Sequence, residues 1–133
     1  MPTADFRFAL RVYWEDTDAA GVVFYANYLK FFERARTEWL RSRGVEQEAL
    51  RRTERTVFVV SETTVRYLQP ARLDDSLEVS VEITEQGRAS MVYAQACRRG
   101  ATVLAEGRIR IGCVDSGTFR PRRIPNFLLE RLA

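Results

Sequence analysis

Apolar and polar side chains alternate from Phe6 to Trp14, with Phe6, Phe8, Leu10, Val12 and Trp14 on one side and Arg7, Ala9, Arg11 and Tyr13 on the other. A period of two predicts a strand with one buried face. From Tyr28 the period becomes helical: Tyr28, Phe31, Phe32, Ala35 and Trp39 share a face, and Lys30, Arg34, Thr37 and Arg41 lie opposite. The pattern predicts a helix of about 16 residues, roughly 24 Å long at ~1.5 Å per residue. Asn27 is its expected N-cap. Arg41, Arg43 and Gly44 are its expected stop, with cations near the last carbonyls and glycine just beyond them. The aromatic stripe is read as core. Val45 to Thr53 reads as a loop with a short helical turn.

Strand periodicity then returns. Val57, Val59, Ser61, Thr63, Val65 and Tyr67 form one face of a strand that ends at Gln69-Pro70. Leu77, Val79, Val81 and Ile83 alternate with Glu78, Ser80, Glu82 and Thr84 in the next, closed by Gln86-Gly87. Met91, Tyr93 and Cys97 mark a third strand, before Arg99-Gly100. Val103, Ala105, Ile109, Ile111 and Cys113 mark a fourth, before Asp115-Ser116-Gly117. Short turns between alternating strands predict antiparallel hairpins. One strand, one long helix and then a run of strands predict an α+β domain in which a five-stranded antiparallel sheet wraps one helix. Phe127, Leu128, Leu129 and Leu132, after Pro125, suggest a short terminal helix.

A chain of 133 residues suffices for a single domain, 1–133, that buries its core without disulfide or metal staples. Its one informative compositional fact is the absence of histidine, which excludes Ser-His-Asp and Cys-His nucleophile systems and any histidine metal site. Cys97 and Cys113 lie within strands at no metal-ligand spacing and are read as small core residues. Neither an apolar leader segment nor a membrane-spanning run is present in the pattern, so a soluble, cytoplasmic chain is expected. A net charge of +3, from 20 arginines and one lysine against 18 acids, suits an anionic small molecule. The arginines are scattered and no nucleic-acid module is present, so nucleic acid is not the expected partner.

Between the first strand and the helix lies the segment richest in chemistry. Asp16 and Asp18 precede a small-residue turn, Ala19-Ala20-Gly21, which lets the backbone bend sharply and approach a ligand. The helix start beyond it offers unpaired N–H groups and a partial positive charge, suited to a developing oxyanion. A nearby carboxylate would supply a nucleophile or general base. The plainer reading makes both aspartates turn residues. Residues alone leave the two readings even.

The run Glu-Asp-Thr-Asp-Ala-Ala-Gly-Val-Val-Phe-Tyr-Ala-Asn-Tyr-Leu-Lys-Phe-Phe-Glu-Arg-Ala-Arg-Thr-Glu-Trp-Leu, residues 15–40, resembles the signature of hotdog-fold acyl-CoA thioesterases, in both the 4-hydroxybenzoyl-CoA and the tol-pal-associated branches. The resemblance implies a hotdog fold and hydrolysis of an acyl-CoA to free acid and coenzyme A, with the acyl group carried by CoA or an acyl carrier protein. It implies that Asp18 is the catalytic carboxylate, attacking the carbonyl or activating water, and that the backbone N–H of Tyr25 polarises the thioester oxygen. Asp16 is assigned to loop structure. Gly21, Val22, Val23 and Asn27 are implied to lie against substrate. Tyr25 stands where tol-pal-type members usually carry histidine, so the backbone role carries over and that side-chain role does not. Arg120, Arg122 and Arg123 are candidates for the CoA phosphates. No metal and no cofactor is implied, coenzyme A being part of the substrate. Homodimers or homotetramers with the site at the dimer interface are expected. Hotdog dehydratases are disfavoured because they use histidine. The competing class is a non-catalytic acyl-CoA-binding or scaffold protein.

Overall fold

The computed structural model describes residues 6–133, which form β1 (Arg7–Arg11), a short 3-10 turn (Trp14–Asp16), α1 (Asn27–Ser42), α2 (Gln47–Glu54), β2 (Thr56–Tyr67), β3 (Ser76–Ser80), β4 (Glu82–Gln86), β5 (Ser90–Arg99), β6 (Thr102–Asp115) and α3 (Asn126–Leu132). Every strand pairing is antiparallel, in the order β1-β3-β5-β6-β2, with β4 also on β5. The mixed α+β arrangement expected from the pattern is therefore present.

The stripe Tyr28, Phe31, Phe32, Ala35 and Trp39 is buried in full and faces the sheet. Each large side chain so buried stabilises the fold by roughly 1.5–3 kcal/mol. Close approach of α1 to the sheet depends on Gly107 of β6, where a Cβ would come within 2.8 Å of the Phe32 ring. α1 ends as expected at Gly44, whose φ of +76° few other residues adopt without strain. Among the described residues no helix is long and apolar enough to cross a membrane.

Four local expectations are corrected. The alternation of β1 does not extend to Trp14: the backbone leaves the sheet after Val12 and winds into the 3-10 turn, leaving Trp14 79% exposed while Val12 is fully buried. The segment expected as one strand over 77–84 is two, β3 and β4, so the described residues form six strands rather than five. Both pieces pair with β5 in the same register (Val79↔Cys97, Ile83↔Tyr93), and the interruption at Val81 falls where β1, the outer neighbour of β3, runs out at Arg7↔Ser80. In β2 a register shift between Val60 and Glu62 breaks the single apolar face expected from Val57 to Tyr67. The stretch read as a loop with one turn is an eight-residue helix, α2, anchored by buried Leu50.

Candidate functional site

The loop between β1 and α1 is stitched at every level. Asp16, almost fully buried, turns its carboxylate back to accept the Tyr13 N–H at 2.8 Å. Its carbonyl accepts the Phe24 N–H and the Asn27 side-chain amide, both at 2.9 Å. Asp16 is thus structural, as expected. Asn27 is not the N-cap: it is the first residue of α1, Ala26 stands at the cap without a side-chain hydrogen bond, and the Asn27 amide ties the helix start to the loop instead.

Asp18 lies on the opposite arm of this loop. Its N–H donates to the Val22 carbonyl at 2.9 Å and its carbonyl accepts the Gly21 N–H at 3.0 Å, closing a tight turn in which Gly21 has φ +81°. One carboxylate oxygen accepts the Ala20 N–H at 2.9 Å. Among the described residues no cation pairs with the Asp18 carboxylate, and the residue is exposed. Thr17 bridges Val23, while Val22 bridges Arg72 and the Val23 N–H donates to the Ala71 carbonyl. Val22 and Val23 therefore hold the turn, with Val23 in the core.

Tyr25 follows, with its ring exposed and packed against Phe24 and Tyr67. No acceptor among the described residues meets its backbone N–H, so the donor expected to polarise a carbonyl is unpaired. Tyr67, at the end of β2, donates its hydroxyl to the Tyr25 carbonyl at 2.9 Å. Burial pushes the Tyr67 phenol up, and nearby Tyr25 adds to this, so the donor remains protonated at neutral pH. The Tyr28 hydroxyl accepts the Ala71 N–H at 3.2 Å and seats the Ala71–Arg72 segment on the helix start. Sequence reasoning missed Tyr67, Ala71 and Arg72, which lie over 40 residues from Asp18; only the exposed aromatic ending of β2 was a visible signal.

The basic tail sits elsewhere. Arg122 donates to the Glu54 and Arg55 carbonyls and lies 3.7 Å from Asp115, at the beginning of β2. Arg120 and Arg123 are exposed beside it. Tyr67 and the Asp18 loop stand at the other end of that strand, about 36 Å away at ~3.3 Å per residue. Within one chain Asp18, Gly21, Val22, Val23, Tyr25 and Asn27 come together, and the three arginines do not join them.

Comparison with known proteins bears on this arrangement directly. The chain is 46% identical over 130 residues to the acyl-CoA thioester hydrolase YbgC of Escherichia coli O6:H1, covering 97% of this chain and 96% of that protein. It is 42% identical to the acyl-CoA thioesterase YbgC of Haemophilus influenzae, over 90% of this chain and 88% of that one. The crystal structure of a probable thioesterase from Bartonella henselae superposes with a TM-score of 0.86 at 34% identity, covering 90% of this chain and 98% of that one. With residues 12–132 matching the pattern of the thioesterase-like superfamily, the chain belongs to that superfamily and its fold is the hotdog fold.

Proposed function

We propose that this chain hydrolyses the thioester of an acyl-CoA to a free acid and coenzyme A, with Asp18 as nucleophile or general base. The reading rests on one observation above all: an exposed carboxylate and a backbone N–H just before α1, neither with a cation or acceptor among the described residues, occupy the same stitched loop. The names borne by the relatives support the substrate class.

Two routes use these groups. In one, Asp18 attacks the thioester carbonyl, expels CoA thiolate and leaves a mixed anhydride that water cleaves. In the other, Asp18 takes a proton from water as that water attacks. In both, charge develops on the carbonyl oxygen, where the Tyr25 N–H is the donor. No step runs through a metal or a resident cofactor. An acyl group carried by an acyl carrier protein is a second substrate form for the same chemistry.

The assembly proposed with this function is a homodimer, with pairing into tetramers open to it. β2 is a sheet edge whose Val59, Val60 and Tyr67 are exposed. A two-fold axis through that edge pairs β2 antiparallel with its copy. The beginning of the partner's β2 then lies against the end of this one, carrying the partner's Arg120 and Arg123 toward the Asp18 loop, where CoA phosphates would lie. Two free, buried thiols, Cys97 and Cys113, suit a reducing cytoplasmic setting.

Thiol release from short, long and aromatic acyl-CoAs tests the reading with native protein and Asp18→Asn side by side. Turnover lost in the variant with substrate binding retained is the expected result. Tight acyl-CoA binding with no thiol release by native protein overturns it in favour of a binding protein.

A further inference from the structure

Between the middle of α1 and the inner face of the sheet lies a cavity of about 100 Å³, lined by Glu33, Arg36 and Gln47 and, on its apolar side, by Leu40, Phe58 and Ile111. Arg36 is only 9% exposed. One of its Nη atoms donates to the Gln95 side-chain oxygen at 3.0 Å, and the Gln95 amide is itself fixed by donation to the Phe32 carbonyl at 3.0 Å. The Tyr93 ring lies 5.9 Å from the guanidinium carbon. A guanidinium has five N–H donors, and among the described residues this one satisfies a single protein acceptor. Among the same residues no carboxylate lies within ion-pair distance of it, including Glu33 on the cavity wall. Burial pushes Arg36 down from the usual guanidinium range, opposed by Tyr93 and Glu33. None of its nitrogens is among the fully enclosed, partnerless side-chain atoms of the described residues, so its spare N–H donors open onto accessible space at the cavity, where an apolar residue of similar volume would serve packing as well or better. The guanidinium is a good receptor for an anion.

We propose that this cavity is the subsite for the far end of the acyl group and that Arg36 receives a terminal carboxylate there, making CoA thioesters of dicarboxylic acids substrates of the enzyme. The inference rests on the thioesterase reading and adds to it the chemistry of the acyl tail. Two magnitudes shape it. Arg36 lies nine residues beyond the helix start, about 14 Å along the axis at ~1.5 Å per residue, and its side chain leans back toward the N-terminus, which suits a chain of medium length. A cavity of about 100 Å³ has room for a carboxylate with its adjoining methylenes.

The test compares kcat/KM for adipyl-CoA against hexanoyl-CoA, and for suberyl-CoA against octanoyl-CoA. Native protein, Arg36→Met and Gln47→Glu are measured together, with the mass of each in solution. Gln47→Glu places a carboxylate on the cavity wall to occupy the guanidinium; it is the conservative change should Arg36→Met fail to fold. Native protein is expected to turn over each carboxyl-ended thioester at least as well as its methyl-ended partner. The ratio is expected to fall about 10- to 100-fold in both variants, the worth of a charge-assisted hydrogen bond. A native ratio below one-tenth, or a ratio unchanged by both substitutions, overturns the proposal. If the native ratio is that low and Arg36→Met also dissociates the assembly, the cation belongs instead to an ion pair with a second copy of the chain. Failure to hydrolyse any of these thioesters sinks the thioesterase reading alone, and calorimetry with free adipate and hexanoate then decides the subsite. Adipate bound at least tenfold more tightly, with the difference lost in Gln47→Glu, supports it, and equal binding overturns it.

Discussion

Two turns in this molecule look alike in sequence and have opposite fates. Asp18-Ala19-Ala20-Gly21 and Asp115-Ser116-Gly117 each place an aspartate before small residues, and in each the carboxylate accepts the N–H two residues on, from Ala20 at 2.9 Å and from Gly117 at 2.8 Å. Asp115 then collects everything else a carboxylate can hold: the Thr118 N–H, the Arg55 guanidinium at 3.2 Å and Arg122 at 3.7 Å. Arg55, followed by the N–H groups of Gly117 and Thr118, holds it down at about 2. Among the described residues Asp18 has the turn and nothing more. The local motif shapes the carboxylate's own backbone; cations from distant parts of the chain decide whether the group is occupied or free to react.

The strongest way to break this contrast is Asp18→Asn, which preserves the turn and removes the charge. Activity on the best acyl-CoA is expected to fall about 10²- to 10⁴-fold, while thermal stability changes little because the residue is exposed and the amide oxygen can still accept the Ala20 N–H. An equal loss from Asp115→Asn would erase the distinction.

The two glycines differ in the same sense. Gly21 is needed for its positive φ, with no atom nearby to obstruct a side chain, whereas a Cβ on Gly117 would run into the Arg55 guanidinium. Gly21→Ala is therefore expected to destabilise the loop by about 1–2 kcal/mol through backbone strain alone, read as a lowered Tm together with reduced turnover. Unchanged values for both would show that the turn does not depend on this conformation.

Tyr67→Phe sharpens the picture around the Asp18 loop. Deleting the hydroxyl that holds the Tyr25 carbonyl removes a contact worth about 0.5–1.5 kcal/mol, so kcat is expected to drop roughly 2- to 10-fold with the fold intact. Equal kcat in the two proteins would show that this bond does not position the Tyr25 peptide.

The smallest effect at neutral pH is expected from Asp115→Asn, since its ion pairs are partly solvated. Its signature is pH dependence. A carboxyl held at about 2 in the folded chain and near 3.9 when unfolded stabilises the protein above the higher value and loses that contribution as pH falls through the lower one. Native and Asp115→Asn melting curves should therefore stand apart at neutral pH and converge in acid. A separation that does not shrink on acidification would refute the assignment.

Much of this was visible in the order of residues. The helical stripe from Tyr28 to Trp39, the stop at Gly44, the later strands and the short terminal helix follow from periodicity, because one-sided burial imposes a period wherever an element lies on a core. Asp16 and Asp18 were visible as a pair, and the resemblance to a known signature assigned Asp16 to the loop, where its hydrogen bonds hold the turn. Trp14, Asn27 and Val81 were misplaced for a shared reason. Each stands at an element boundary, where one hydrogen bond or the end of a neighbouring strand outweighs the local pattern.

The sequence by itself determined a histidine-free α+β fold, a long helix with its buried face, and a turn holding an aspartate pair just before that helix. Only the tertiary structure decided that, among the described residues, Asp115 is occupied by cations while Asp18 is not, that Tyr67 grips Tyr25, that the basic tail stands at the far end of β2, and that Arg36 is buried beside a cavity with no carboxylate in ion-pair reach of it. Backbone preference and burial periodicity act over a few neighbouring residues and are written in their order. Charge pairing and cavity shape depend on residues brought together by folding, and no local spacing encodes which of them will meet.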